Sequence, residues 1–118
     1  MYHKLAEKLV VVSGTPGYSP AIPLAGANSV QVEWTLFNLT GGTTMSTTIA
    51  VQDSNDQENW TATLGTLVGT GTSLSGAGYA TFQYKQIAAQ YVRLSYTASN
   101  ASGTTTAVLS SGMNTMVM

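Results

Sequence analysis

The chain has no cysteine, a single histidine and four lysine or arginine residues among its 118 positions. Without cysteine there can be no disulfide, thiolate nucleophile or zinc–thiolate centre. The histidine, His3, has no second histidine or thiol with which to form a catalytic pair or a typical zinc shell. The cations Lys4, Lys8, Lys85 and Arg93 are scattered, whereas nucleic-acid binding draws its affinity from a basic stripe that neutralises phosphates. No direct nucleic-acid contact is expected. Long apolar runs are missing too. The run Leu9–Val12 follows Glu7 and is far too short to span a bilayer or form a signal-peptide core. A membrane role is not expected, and the lack of disulfides fits synthesis in a reducing cytosol.

Charge is scarce in both signs. Only 8% of residues are charged, with a net charge of −1, about a third of the usual share for soluble domains. Hydroxyls, amides and small apolar groups make up most of the remainder. Such groups cost far less to dehydrate than charges. The composition therefore favours a protein covered by partners over a freely diffusing monomer.

What the sequence does contain is alternation of period two, the pattern of half-buried strands. In SVQVEWTLFNL, Val30, Val32, Trp34 and Leu36 share one face. Ile49 and Val51 do so in TTIAVQ, Ala80, Phe82 and Tyr84 in YATFQYK, and Val92, Leu94 and Tyr96 in QYVRLSYTA. TTAVLSS near the end is β-branched and alternating. Gly, Ser, Thr and Asn connectors between these runs reverse the chain at low cost. HKLAEKL is the one helical alternative, and at barely two turns it is marginal. Pro16, Pro20 and Pro23 keep residues 14–27 out of any central strand. The expected fold is all-β: a single-domain antiparallel β-sandwich, jelly-roll or Ig-like, with an extended N-terminal arm. Residues 1–28 are expected to form that arm, 29–112 the sandwich and 113–118 an apolar tail.

The stretch VQDSNDQENW is the first candidate for a site. Asp53, Asn55, Asp56 and Glu58 place oxygen atoms at alternating positions, as calcium requires. The full twelve-residue loop, its central glycine and its closing bidentate acid are absent. A hairpin turn with Asp and Asn side chains bonded to nearby amides is the expected structure. Trp34 belongs with the core set, while Trp60 follows the turn and is open to packing or to a ligand. Arg93 is expected to pair with Glu33, Asp53 or Asp56, or to anchor an intersubunit contact. The Gly-rich GTGTSLSGAG lacks the lysine of a phosphate loop and precedes a strand. With no nucleophile–base pair in view, no enzymatic activity, metal or cofactor is expected. The expected partner-binding residues lie at the two ends: Leu9, Val10, Val11 and Val12 in the arm, and Met113, Met116, Val117 and Met118 in the tail. Methionines make adaptable contacts.

Two segments, VQDSNDQENW and AAQYVRLSYT, together resemble discoidin-like sandwiches of the coagulation-factor type C class. There a strand runs into S-x-D-G-x-x-W and a later strand reads R-Y-V-R-L. The matching residues are Ser54, Asp56, Trp60, Tyr91, Val92, Arg93 and Leu94; Gln57 stands in place of the glycine, and the cysteines are missing. This resemblance implies a carbohydrate- or surface-binding module that uses the loops around Asp56, Trp60 and residues 69–78.

The whole chain has a different likeness. LVVVSGTPGYSPAIPLAGA leading into SVQVEWTLFNLTGG, then SNDQENW, YVRLSYT and TTAVLSSGMNT, is similar to small cysteine-free virion proteins of tailed bacteriophages, of the head-decoration or cement type. That likeness implies a homo-oligomer, a trimer in the favoured case. It would be made in the host bacterial cytoplasm and placed on the virion surface, clamping the major capsid protein. A tail or fibre position is the alternative.

Overall fold

The computed structural model describes residues 1–61, 67–70 and 72–117. Among them are ten strands: β1 (Tyr2–Val12), β2 (Gly17–Tyr18), β3 (Ile22–Pro23), β4 (Ser29–Thr43) and β5 (Ser46–Ser54), then β6 (Leu67–Thr70), β7 (Ser73–Leu74), β8 (Gly78–Tyr84), β9 (Tyr91–Ser99) and β10 (Ser102–Met116). They form two antiparallel sheets. The first has the order β1-β10-β4-β8-β6; the second runs β2-β9-β5-β7, with β3 also paired to β9.

The pairings are nested. β1 pairs with β10, β2 and β3 with β9, β4 with β8, and β5 with β7. The chain is thus a long hairpin folded back on itself, then rolled so that β10 meets β4 and β9 meets β5. This is the jelly-roll form of the β-sandwich, one of the two topologies the strand pattern allowed.

The alternating residues form the core. Val30, Val32, Trp34 and Leu36 of β4 lie between the sheets with Ile49, Val51, Phe82, Tyr84, Val92, Leu94, Tyr96, Leu109 and Met113, all fully or nearly fully buried. Phe82 and Tyr84 meet edge to face with centroids 5.6 Å apart, the orientation favoured by the ring quadrupoles. The buried hydroxyls of Tyr96 and Ser111 share a 2.8 Å hydrogen bond that ties the second sheet to the first.

The two ends differ from expectation. Residues 2–12 form the edge strand of the molecule's own first sheet instead of a free arm, with bulges between Lys4, Ala6 and Leu9 and a positive φ of 49° at Lys8. β10 runs unbroken through the boundary expected at residues 112–113. Ser110, Ser111 and Gly112 resemble turn residues, yet here they sit mid-strand and buried between β1 and β4. The expectation for the prolines holds. Pro23 lies in a two-residue edge strand, and Ser19 continues that edge by exchanging hydrogen bonds with Leu94.

Candidate interaction surfaces

The acidic stretch closes as a turn. Ser54 Oγ accepts from the amides of Asp56 (3.2 Å) and Gln57 (2.9 Å) and donates to Asp56 Oδ1 (2.9 Å). Asp56 Oδ1 accepts from the amides of Glu58 and Asn59, each at 2.9 Å, and Oδ2 accepts from the Asn59 side chain at 2.8 Å. The Asn59 amide foremost, then that of Glu58 and the Asn59 and Ser54 side chains, hold the Asp56 carboxyl far below the usual carboxylate range. Gln57 has a φ of 63°, the left-handed conformation that favours glycine. It occupies the position where the discoidin pattern has one. Among the described residues, no three His, Asp or Glu side chains gather as a metal site would need.

Trp60 folds back over this turn. Its indole nitrogen donates to the Gln57 carbonyl at 3.2 Å, and its ring lies 4.3 Å from the Arg93 guanidinium. The Tyr18 ring also lies against the guanidinium, at 4.1 Å. Arg93 also donates to Gln52 Oε1 at 2.8 Å. In place of the expected ion pair, the guanidinium packs against two rings, a favourable cation–π geometry. Asp56 and Trp60, the alternative ligand loop, are therefore both engaged within the molecule.

The terminal candidates divide three ways. Val11 and Met113 are buried at 2% and 0% exposure. Both are core residues and present nothing to a partner, which corrects their assignment. The β1–β10 pairing sets Val11 opposite Ala107 and His3 opposite Met113, turning those side chains inward. Leu9 and Met116 are half-buried. Val10, Val12 and Val117 remain exposed, at 57%, 37% and 75%. Met118 and Gly71 lie outside the described residues; the loop expected at residues 69–78 is partly strand, since Gly69 and Thr70 end β6, Ser73 and Leu74 form β7 and Gly78 opens β8.

Two apolar regions of surface result. At one end of the sandwich, Met1 and Val117 border a broad recess of about 670 Å³, lined also by Pro23–Ala27 and Met116. On the outer face of the first sheet, Val10 lies opposite Val108 and Val12 opposite Thr106.

Sequence reasoning missed the middle of that same face. Tyr2 and Tyr79, from β1 and β8, donate to the two oxygens of Glu33 on β4, at 2.8 and 3.2 Å. Tyr2 reaches Glu33 by lying across Gly112, where a Cβ would collide with its ring. The Glu33 hydrogen bond is the main cause raising the Tyr2 hydroxyl above its ordinary value; for Tyr79 burial comes first and Glu33 second. The sequence held one signal for this site: Glu33, an acid within an otherwise uncharged strand.

No known family profile and no curated protein matches the sequence. Among solved structures, the fold is similar to that in the crystal structure of SPBc2 prophage-derived protein YomS. The TM-score is 0.52 at 14% identity, covering 98% of this chain and 91% of that one. The likeness is one of fold and spans nearly the whole of both chains.

Proposed function

We propose that this chain is a non-enzymatic structural protein of a phage-type virion, a decoration or cement protein that self-associates and packs against the major capsid protein on the head surface. The observation that carries this reading is the end-to-end fold likeness to a prophage-derived protein. The scarcity of charge supports it, because a surface of hydroxyls and small apolar groups dehydrates cheaply against a partner. Exposed apolar side chains at Met1, Val10, Val12 and Val117 supply contact points. Each is small. Symmetry in a shell multiplies such contacts, since every additional site binds at high effective concentration.

The contact works through faces, since both terminal segments are strands of the sandwich. Sedimentation velocity of the purified protein, and co-sedimentation with the shells of its source phage, test the reading. A discrete oligomer, a trimer in the favoured case, is expected to pellet with shells. Val10→Asp with Val117→Asp is expected to abolish pelleting while leaving the thermal midpoint in place. A monomer that stays in the supernatant with heads, yet pellets with isolated tails, would move the protein to the tail or fibre. A monomer that ignores both would overturn the reading.

A further inference from the structure

The outer face of the first sheet carries a furrow lined by aromatic rings and polar side chains. Its floor is β10, between β1 and β4, where Ser110 and Gly112 line the recess. Three exposed rings border it, Phe37 at 47% exposure, Tyr79 at 61% and Tyr2 at 51%, the last lying across Gly112. A recess of about 400 Å³ lies between Phe37, Ser110 and the β1 residues Lys4, Glu7 and Lys8. It continues past Lys4 and Ser110 into a narrower part of about 70 Å³ beside Tyr79 and Glu33. Beyond the bar formed by Tyr2 and Glu33 lies another recess of about 260 Å³, bordered by Gln31 and Asn114.

The polar groups are arrayed by strand register. Tyr2, Asn114, Gln31 and Gln83 stand in one row across four adjacent strands, and Lys4, Gly112 and Glu33 in the next. Both carboxylate oxygens of Glu33 are held by tyrosine hydroxyls. The two rings and the acid are thus fixed before any ligand arrives, which lowers the entropy cost of binding.

We propose that this furrow binds an uncharged glycan chain. A pyranose ring presents a face of C–H bonds, which suits the electron-rich face of an aromatic ring. Around its rim it presents hydroxyls, which suit alternating amides, a carboxylate and serine. The furrow offers both within one ligand-sized trough. Its charges balance, with Lys4 and Lys8 against Glu7 and Glu33, so it gives no net attraction to a polyanion. A protein partner covering the whole face would have to bury those four charges, at considerable cost. The furrow residues are distinct from Val10, Val12 and Val117, the particle contacts proposed above.

The test is a glycan array of neutral and anionic saccharides probed with the full chain, followed by affinity electrophoresis in gels containing β-glucan, galactomannan, dextran or heparin. Binding to at least one neutral glycan is expected, and none to heparin. Tyr79→Ala and Phe37→Ala should each weaken that binding about tenfold or more, the usual effect of removing a central aromatic contact, with the thermal midpoint unchanged. Trp60→Ala should leave it intact. An array with no neutral hit would overturn the proposal, as would retention that survives the double substitution or is lost with Trp60. A concentration-dependent dimer abolished by Tyr79→Ala would equally overturn it, by showing a second copy on this face.

Discussion

Met1 and Thr115 bind each other across almost the full length of the sequence. The Met1 ammonium donates to the Thr115 carbonyl at 2.6 Å, and the Thr115 amide donates back to the Met1 carbonyl at 2.8 Å. This follows from nesting: the outermost pair of a folded-over hairpin joins the first strand to the last.

A circular permutant should therefore fold. Joining the ends with a short Gly/Ser linker and opening the chain at the exposed Gly76 leaves every long strand whole. Deleting residues 1–12 should have the opposite effect, since it strips β1 from β10 and uncovers Leu109 and Met113. Chemical denaturation monitored by circular dichroism distinguishes the two. A cooperative transition is expected for the permutant and none for the deletion.

Thr47 is fully buried in β5, and its hydroxyl has no hydrogen-bond partner among the described residues. A buried hydroxyl without a partner carries a desolvation penalty, and valine has nearly the same shape. Thr47→Val should stabilise the protein by about 1 kcal/mol, seen as a higher urea midpoint at unchanged slope.

Arg93 clamps the 53–61 turn to β9 through Trp60 and also packs against the Tyr18 ring. Lysine, a compact point charge, cannot contact two rings and Gln52 at once as the broad guanidinium does. Arg93→Lys should increase acrylamide quenching of the Trp60 component of fluorescence, with Trp34 remaining shielded in the core. Arg93→Ala should do the same and cost about 1–2 kcal/mol.

Asp56 gives the turn an acid limit. Its carboxyl is depressed in the folded state, so its contribution is complete above the ordinary value of 3.8 and declines as pH falls below it. Asp56→Asn should flatten the acid limb of a stability–pH curve while leaving the alkaline limb alone. An unchanged acid limb would show that the turn adds nothing.

Tyr96 contributes to the alkaline limb, alongside the other raised tyrosines Tyr2, Tyr79 and Tyr84. Burial raises its hydroxyl above the ordinary 10.0, against a smaller lowering by the bond to Ser111. Below pH 10 the phenol is neutral in both states, and its contribution is complete. Above that, the unfolded chain ionises first and stability falls as pH rises towards the folded value. Tyr96→Phe should make that fall shallower and, by leaving Ser111 unpaired, cost about 1 kcal/mol at neutral pH.

Much of this fold could be read from local pattern. Trp34, Phe82 and Leu94 were identifiable as core because alternation is written within each strand, and the Ser54–Asp56 turn because its bonds span two or three residues. Val11 and Met113 were not. Their burial depends on β1 meeting β10, a partnership between opposite ends that no local signal encodes, and the prolines between residues 16 and 23 suggested an arm. The furrow was hidden for the same reason. Tyr2, Glu33, Tyr79 and Gly112 belong to four strands far apart in sequence, and only the sheet order makes them neighbours.

The same closure governs how the molecule would respond to pulling. Because β1 begins where β10 ends, tension applied at the two termini would separate those strands like a zipper, opening their hydrogen bonds one after another instead of shearing them together. Anchored by its ends, the protein would yield at low force; gripped by its faces, it would keep that seam unloaded.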